Sequence, residues 1–297
     1  MSIIPFDDRD GVIWFDGALI PWREARLHIL SHGLHYASCV FEGERAYNGA
    51  IFKMDEHHRR LHASANILGF EIPYTVEQIN AASMAVLREN GLVDAYVRPV
   101  AWRGSEMMGV SAQETRIHVA IAAWPWPSYF SPEMRAKGIR LMRAPYRRPS
   151  PECAPVHSKA AGLYMICTMS KHAAEAKGYH DCLMLDYRGR IAEATGANIF
   201  LLQDGVLHTP IPDCFLDGIT RRTVIELARA RGIEVVERAI LPEELANTSE
   251  VFLTGTAAEV TPVGEIEGHT FKVGEVTRTL MDAYANAVRN PAEASAA

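Results

Sequence analysis

Apolar and polar positions along the first 125 residues follow two different patterns. Short apolar runs rich in β-branched and aromatic residues predict strands, and the pairs Asp16-Gly17 and Asn48-Gly49 between such runs predict hairpin turns. Apolar residues three and four positions apart, followed in each case by a glycine, predict helices. We therefore expect a compact α+β region with strands over about 12–20, 39–47, 50–53, 94–102 and 116–124 and helices over about 55–69 and 76–90.

Residues 125–155 interrupt this pattern with seven of the chain's 16 prolines. Such a density of proline resists continuous helix or sheet, so we expect an interdomain connection around one strand near 138–143. Further on, the pattern predicts strands over about 181–186, 191–194, 197–203, 206–209, 233–238, 250–254 and 258–263 and helices over about 161–177, 219–231 and 275–289. The expected division is a small domain at 1–125, a connection at 126–145 and a larger, cofactor-binding domain at 146–297.

Composition and charge narrow the possible classes of protein. The 297 residues are 48% hydrophobic and carry a formal net charge of −6, which is typical of an ordinary globular protein and gives no reason to expect a nucleic-acid partner. The five cysteines show no C-x-x-C spacing, which indicates reduced thiols. The acidic N-terminus does not resemble a signal peptide, and no apolar run is long enough for a membrane span. We expect a cytoplasmic protein with no membrane partner.

One lysine has unusual neighbours. The chain has only six lysines among its 30 basic residues, and Lys159 lies in the run from Ser158 to Gly162, whose small side chains leave space around an amine. A nucleophilic lysine needs such a site, partly desolvated so that its pKa falls. The local sequence alone also allows an ordinary surface lysine.

Three later features would suit a bound cofactor. Glu193 lies among small apolar residues at the end of a predicted strand, where it either pairs with Arg190 or binds a cationic group such as a protonated pyridine nitrogen. The run 216–221 opens a predicted helix, whose first N–H groups can bind an anion. The turn at 254–258 can form a second anion site. Each feature alone is equally compatible with an ordinary ion pair, helix cap or turn.

In combination these segments resemble the class IV (fold type IV) aminotransferases, and among them the branched-chain-amino-acid aminotransferases. The resemblance covers about residues 10–290 in the family's order. The matching runs are Ser31 to Tyr36, Val40 to Arg45, Tyr96 to Pro99, Met108 to Val110, Lys159 to Tyr164, Glu193 to Asn198, Asp217 to Arg221 and Phe252 to Pro262. The runs that begin at Lys159 and Glu193 differ from the more familiar sequences of the family, although neither difference changes a proposed catalytic side chain.

The resemblance implies a two-domain fold of mixed α+β and α/β character, like that of D-amino-acid aminotransferases. A small N-terminal α+β domain would precede a larger C-terminal domain with a β-barrel-like core. The implied cofactor is pyridoxal 5′-phosphate, with no metal, and Lys159 would bind it covalently and move a proton during the reaction. The other implied cofactor-binding residues are Glu193 at the pyridine nitrogen, Tyr164 at the ring hydroxyl, Leu216 on the ring face, and Arg59, Gly218, Ile219, Thr220 and Thr256 around the phosphate.

The resemblance also implies how the substrate is bound. Tyr96 and Arg98, which alternation puts on one face of a strand, would bind its carboxylate together with the amides of Ala257 and Ala258. An aliphatic pocket discriminates by only about 1–3 kcal/mol per methylene, so we expect Leu, Ile and Val all to be accepted. The implied pocket residues are Phe41, Trp126, Tyr129 and Tyr164, with Tyr36 and Val110 contributed across a subunit interface.

The implied reaction moves the amino group of L-leucine, L-isoleucine or L-valine reversibly to 2-oxoglutarate. Amino acids and 2-keto acids would be the small-molecule partners, and the shared pocket implies at least a homodimer, with homohexamers of three dimers also found in the family. The alternatives within the fold are D-amino-acid aminotransferases, (R)-selective amine transaminases and aminodeoxychorismate lyases. D-amino-acid enzymes typically carry Arg-x-His, whereas Arg98 is followed by Pro99-Val100, which favours the L-branched-chain interpretation. A non-catalytic protein on this scaffold would be expected to lack Lys159 or Glu193.

Overall fold

The computed structural model describes residues 4–126 and 132–290, and the chain divides into two compact units. The first unit comprises Met1–Pro127 together with Ser158–Gly162, and the second comprises Ser128–His157 together with Leu163–Ala297. The segment that carries Lys159 therefore folds with the first unit, although the residues on both sides of it fold with the second. The domain boundaries expected from proline density, at 126–145, remain a prediction.

The first unit contains a seven-stranded antiparallel sheet and three helices. The strands are β1 (Val12–Phe15), β2 (Ala18–Pro21), β3 (Cys39–Phe41), β4 (Glu44–Tyr47), β5 (Ala50–Ile51), β6 (Ala95–Arg103) and β7 (Ile117–Pro125), and the helices are α1 (His32–Tyr36), α2 (Met54–Ile67) and α3 (Val76–Glu89). The strand order is β2-β1-β7-β6-β4-β5, and β3 pairs with β6. Both predicted hairpins are present, because Asp16 and Asn48 adopt the positive φ angles that tight turns need.

The core of the first unit lies between the sheet and the apolar faces of α2 and α3. Leu61 of α2 and Ile79 of α3 are completely buried in one cluster with Val97 of β6. The start of α3 is set by a capping box, in which the Gln78 N–H donates to Thr75 Oγ1 at 3.3 Å and the Thr75 N–H donates to Gln78 Oε1 at 2.8 Å. The apolar period of the sequence and this cap together explain why these helices form where predicted.

The strand expected over 39–47 is interrupted at Glu42 and Gly43, which separate β3 from β4. A Cβ atom on Gly43 would lie 2.0 Å from the hydroxyl oxygen of Tyr96, so this position requires glycine. The Glu42 N–H donates to the carbonyl of Pro99 at 2.9 Å. Gly43 thus leaves space for a side chain of the neighbouring strand β6, a contact that the local sequence pattern cannot report.

The second unit contains a nine-stranded sheet that closes on itself. Its strands are β8 (Ile139–Arg143), β9 (Asp181–Leu185), β10 (Ile191–Ala194), β11 (Asn198–Gln203), β12 (Val206–Pro210), β13 (Val235–Arg238), β14 (Glu250–Gly255), β15 (Glu259–Ile266) and β16 (His269–Thr270), and its helices are α4 (Pro132–Lys137), α5 (Met165–Ala176), α6 (Ile219–Arg229) and α7 (Glu275–Arg289). The order is β10-β9-β8-β15-β14-β11-β12-β13, and the additional pairing of β10 with β11 closes six strands into a barrel. The expected β-barrel-like core is confirmed.

Alternation along the barrel strands builds the core of the second unit. Leu183, Ile199 and Leu253 belong to one buried apolar cluster with residues from the other barrel strands. Successive side chains of a strand point to opposite faces of the sheet. Asn198 and Thr254, the neighbours of Ile199 and Leu253, therefore lie on the face away from this cluster.

The shortest elements cannot be predicted from the sequence, because they contain too few residues to show a periodic pattern. The helix expected over 161–177 begins as a 3-10 turn at Ala161–Tyr164 before α5. Among the described residues, no helix has the length and apolarity needed to cross a membrane. The elements without a counterpart in the sequence pattern are α1, α4, β16 and the 3-10 turns at Trp22–Glu24 and Pro242–Asn247.

Candidate active site

Lys159 lies in a segment that two hydrogen bonds connect to α2. Its backbone N–H donates to Ser64 Oγ at 3.0 Å, and the hydroxyl of Ser158 donates to the backbone carbonyl of Ser64 at 2.9 Å. On its other side, the Phe41 N–H donates to the Lys159 carbonyl at 3.2 Å. The backbone of Lys159 is therefore anchored to both a helix and a strand of the first unit.

The side chain of Lys159 belongs to a cluster of predicted site residues. Its Nζ lies 5.1 Å from the ring centroid of Phe41, and the guanidinium carbon of Arg98 lies 4.7 Å from the same ring. Arg98 Nη2 donates to the hydroxyl of Tyr96 at 3.0 Å, as their shared strand face predicts. The ring of Trp126 lies 5.0 Å from that of Tyr96. An amine, a cation able to bind a carboxylate and an aromatic wall thus occur side by side.

Two adjacent arginines of α2 differ in burial and in partner. The side chain of Arg59, expected to bind phosphate, is 66% exposed, and its Nε lies 2.5 Å from Oδ2 of Asp55. The side chain of Arg60 is only 15% exposed, and its Nε and Nη2 donate to the two carboxylate oxygens of Glu42 at 2.6 and 2.8 Å. The structure therefore directs Arg59 towards solvent and Arg60 towards the interior.

Glu42 is completely buried, and side chains of α2 compensate its negative charge. His57 Nδ1 lies 2.7 Å from Glu42 Oε2, beside the two bonds from Arg60. Burial raises the pKa of Glu42, but the charge of Arg60 and the hydrogen bonds from Arg60 and His57 lower it more, so the pKa lies well below the usual glutamate range. Residues four apart on a helix share a face, so Arg60 lies on the side of α2 from which Ser64 contacts Lys159.

The groups that could bind a metal are occupied by ion pairs. His58 Nε2 lies 2.9 Å from Glu44 Oε1, and both side chains are fully buried. Burial lowers the pKa of His58, but the hydrogen bond and charge of Glu44 raise it more. Among the described residues, one group has metal-ligand spacing: Asp186, Asp213 and Cys214. Arg188 Nη2 lies 2.6 Å from an oxygen of Asp186 and 2.8 Å from one of Asp213, so these carboxylates already have a cationic partner.

Glu193, in β10 of the second unit, is buried and held by two side chains. Arg148 Nε lies 3.2 Å from its Oε1, and Asn198 Nδ2 donates to its Oε2 at 3.3 Å. Burial lowers the pKa of Arg148, but the charge of Glu193 raises it more, so this arginine is charged. Arg148 is thus an ion-pair partner of Glu193 that lies far from it in the sequence.

Asn198 connects Glu193 to two other predicted cofactor-binding residues. Its Nδ2 also donates to the carbonyl oxygen of Leu216 at 3.1 Å. A Cβ atom on Gly218 would lie 2.2 Å from Asn198 Oδ1, so glycine is required there. Asn198 pairs with Glu193 across β10 and β11 and with Thr254 across β11 and β14, so these three polar residues form one row across the barrel wall.

The two predicted anion sites lie next to this row. Gly218 is the N-cap residue of α6 and provides no side-chain cap, and the first helical residues, Ile219 and Thr220, are buried. The first N–H groups of a helix have no intrahelical partner and carry its positive end, so they favour an anion. The half-buried turn of Thr256, Ala257 and Ala258 follows β14 just beyond Thr254.

Four predicted residues remain: Tyr164, Tyr36, Val110 and Tyr129. Tyr164 is half-buried at the end of the 3-10 turn that follows Lys159. Tyr36 and Val110 are exposed at 44% and 84%. Tyr129 lies outside the described residues.

The site residues expected from the sequence do not include four members of these clusters: Arg60, Ser64, Arg148 and Asn198. Asn198 ends the run that begins at Glu193, and Arg60 adjoins Arg59, so for these two a local indication exists. Ser64 and Arg148 lie far along the chain from Lys159 and Glu193, the residues they contact. Only the tertiary structure brings those pairs together.

The chain matches the model of the family described as amino-transferase class IV over residues 39–266. A branched-chain-amino-acid aminotransferase from Pseudomonas aeruginosa is 42% identical over 296 residues, covering 97% of this chain and 96% of the relative. The enzyme of the same name from Escherichia coli K12 is 38% identical over 283 residues, covering 92% of this chain and 91% of the relative.

Solved structures of branched-chain aminotransferases are similar to this chain in fold as well as in sequence. The branched-chain aminotransferase of Thermoproteus uzoniensis with norvaline superposes with a TM-score of 0.90 at 37% identity, covering 95% of each chain. The branched-chain amino acid aminotransferase of Thermobaculum terrenum, in its PLP-containing holo form, superposes with a TM-score of 0.87 at 30% identity, covering 96% of this chain and 97% of the relative.

Proposed function

Because the chain belongs to the class IV aminotransferase family, as an enzyme of the branched-chain-amino-acid type, we propose that it moves the amino group of L-leucine, L-isoleucine or L-valine to 2-oxoglutarate. The reaction is reversible, has two half-reactions and uses pyridoxal 5′-phosphate. The observation that carries the proposal is the cluster of Lys159, Phe41, Tyr96 and Arg98, in a chain 42% identical over 97% of its length to an aminotransferase named for these substrates.

The described residues fit this cofactor chemically. Glu193, beside the charged Arg148, would bind the pyridine nitrogen, and the N-terminus of α6 would bind the phosphate. Thr254 Oγ1 is buried with no hydrogen-bond partner in the part of the chain that the structure describes, so it offers a further polar atom in the same row. When bound, pyridoxal 5′-phosphate supplies an electron sink for negative charge at the substrate Cα. The other residues proposed to hold it are Tyr164, Leu216, Gly218, Ile219, Thr220 and Thr256.

Lys159 is the proposed catalytic base. Its Nζ would hold the cofactor covalently and, when released, take the proton from the substrate Cα. The lysine side chain has a flexible four-carbon stem, so Nζ can move while the backbone stays hydrogen-bonded to Ser64. Phe41, which approaches Nζ to 5.1 Å, would exclude water from the same space.

We assign the main phosphate-binding arginine as Arg60 instead of Arg59. The Arg59 side chain is exposed and already paired with Asp55, and solvent screens its charge. The Arg60 side chain is mostly buried, and Glu42 fixes the plane of its guanidinium on the helix face that also contacts the Lys159 segment. An oriented guanidinium presents parallel donors that match the geometry of a phosphate.

The substrate carboxylate is proposed to bind to Arg98 and Tyr96. Arg98 stacks over the rings of Phe41 and Tyr96 and donates to the tyrosine hydroxyl, so its orientation is restricted before substrate arrives. The amides of Ala257 and Ala258 are further groups proposed to bind the carboxylate. The aromatic rings would favour aliphatic side chains through burial of apolar surface, which gains about 25 cal/mol per Å². The remaining proposed pocket residues are Trp126 and Tyr129, with Tyr36 and Val110 of a partner subunit.

An exposed apolar surface of the first unit supports a homodimer. His32 Nε2 lies 3.0 Å from the carbonyl of Gly109, which joins the segments 27–36 and 108–110. Contiguous exposed apolar residues mark surfaces that another protein covers. We propose that a second copy of the chain covers this apolar patch, defined as Leu27, Ile29, Leu30, Leu34, Tyr36, Met108 and Val110.

The proposed function is tested by the visible spectrum of the purified protein during addition of L-leucine, D-alanine or (R)-1-phenylethylamine. We expect a lysine-bound chromophore that L-leucine converts in the absence of a keto acid and that 2-oxoglutarate restores. Lys159→Ala should lack that chromophore. A wild-type protein without it would overturn the cofactor proposal, and conversion by D-alanine or the amine but not by L-leucine would overturn the substrate proposal.

A further inference from the structure

Two serines that the proposed chemistry does not use, Ser64 and Ser158, connect the Lys159 segment to α2. We infer that Ser64 and Ser158 are positioning residues, which set the backbone of Lys159 and thereby the location of its Nζ. The inference rests on the proposed role of Lys159 and extends it to two residues to which the proposed chemistry assigns no role.

Ser64 accepts two hydrogen bonds from the Lys159 segment. Ser64, in the last turn of α2, accepts the Lys159 N–H at Oγ and the Ser158 hydroxyl at its carbonyl oxygen, at 3.0 and 2.9 Å. Ser64 and Ser158 are 1% and 2% exposed, so water does not compete for these bonds. Side chains of serine within helices usually bond to a carbonyl one turn back or to solvent. Here the side chain instead accepts a bond from a residue 95 positions away.

The length of the Lys159 segment makes this connection important. After Pro127, only Ser158–Gly162 belongs to the first unit, and the residues on both sides of this segment fold with the second. So short a segment offers few main-chain groups that can hold it. Removal of the Ser64 hydroxyl would leave a main-chain N–H unsatisfied in the interior, which a small backbone shift would relieve. Such a backbone shift would also move the Nζ atom of Lys159. Misplacement of a reacting atom by about 1 Å can lower the reaction rate about 100-fold.

The test measures attachment of pyridoxal 5′-phosphate to Lys159 directly. Apoenzyme prepared from the purified holoenzyme is mixed with the cofactor, reduced with borohydride at timed intervals, digested, and the modified Lys159 peptide is quantified by mass spectrometry. We expect Ser64→Ala to slow attachment at least about tenfold, because a buried donor is left unpaired. Ser158→Ala should slow it less, and Ser64→Thr, which keeps a hydroxyl, should restore most of the rate.

Ser83→Ala is the matched control. Ser83 is also completely buried in a helix of the first unit, but its hydroxyl lies 3.4 Å from His58 Nε2 and not at the Lys159 segment. Its attachment rate should equal that of the wild type, even if its melting temperature falls. If Ser64→Ala lowers the melting temperature while leaving the attachment rate unchanged, the serines are merely structural and the inference is overturned.

Two further outcomes separate this inference from the proposed function. If Ser64→Ala does not fold, the Ser158→Ala variant tests the inference instead, because it leaves the Ser64 hydroxyl and the Lys159 N–H in place. Cofactor attachment at the wild-type rate in Ser158→Ala would then overturn the inference. If wild-type protein is not modified at Lys159 at all, both the proposed function and this inference are overturned. If the wild type is modified at Lys159 and the serine variants are modified at the same rate, only this inference is overturned and the proposed function stands.

Discussion

Arg60 donates to both carboxylate oxygens of Glu42, at 2.6 and 2.8 Å, and Glu42 is completely buried in the first unit. Two parallel bonds to a carboxylate fix the plane of a guanidinium as well as its position. Arg59, one residue earlier, extends to solvent and pairs with Asp55. The pair of Arg60 and Glu42 therefore distinguishes two arginines that are adjacent and chemically equal in the sequence.

The first prediction separates these arginines by cofactor affinity. Arg60→Ala should weaken binding of pyridoxal 5′-phosphate about 10- to 100-fold, because a charge-assisted hydrogen bond to phosphate is lost. Arg59→Ala, the matched control, should change it by less than about twofold, because an exposed pair is screened by solvent. Binding of pyridoxal, which lacks the phosphate, should be nearly equal in all three proteins. If Arg59→Ala weakens cofactor binding more than Arg60→Ala does, the phosphate is bound by Arg59 and not by Arg60.

The second prediction concerns the charge of Glu193. Glu193→Gln keeps a group that can pair with Asn198 but removes the negative charge that would hold a proton on the pyridine nitrogen. We expect the rate of the L-leucine half-reaction in single-turnover measurements to fall about 100-fold, a size typical for loss of one oriented electrostatic group. Glu193→Asp, which keeps the charge, should be affected less. Equal rates for wild type and Glu193→Gln would contradict this role.

The third prediction follows from the lowered pKa of Glu42. In the unfolded chain this carboxyl group binds a proton near its ordinary pKa of 4.5, whereas in the folded chain its pKa is lower. Its contribution to stability is therefore present above that ordinary pKa and is lost as the pH falls towards the folded value. Urea denaturation at about pH 7, 5 and 4 should show the free energy of unfolding of the wild type falling below about pH 5. Glu42→Gln should be less stable at neutral pH and less dependent on pH; an identical pH dependence would contradict the prediction.

The fourth prediction tests the apolar patch as a subunit interface. Val110→Asp introduces a charge at a residue that is 84% exposed and that a second copy is proposed to cover. An unpaired charge in an interface is costly to desolvate, so the variant should sediment as a monomer in analytical ultracentrifugation. Val93→Asp is the control, because Val93 is 57% exposed in the same unit but lies outside the patch. If Val110→Asp and the wild type have the same mass in solution, this surface is not the interface.

Much of the fold can be predicted because its causes are local. The final helix, predicted over 275–289, is found at Glu275–Arg289, since its apolar residues recur at the helical period. The first hairpin follows from Asp16-Gly17, whose positive φ angles close β1 on β2. The close approach of the Tyr96 hydroxyl to Gly43 cannot be predicted, because Tyr96 lies on another strand.

The sequence by itself determined which residues could carry the chemistry: Lys159, Glu193, Tyr96 and Arg98 each lie in a run whose neighbours point to a function. Tertiary structure alone decided which side chains support them. Successive residues of a helix are rotated by about 100°, so whether Arg59 or Arg60 faces inward depends on how α2 packs on its sheet. Similarly, the partners of Lys159 and Glu193 are Ser64 and Arg148, which become neighbours only when distant parts of the chain fold together.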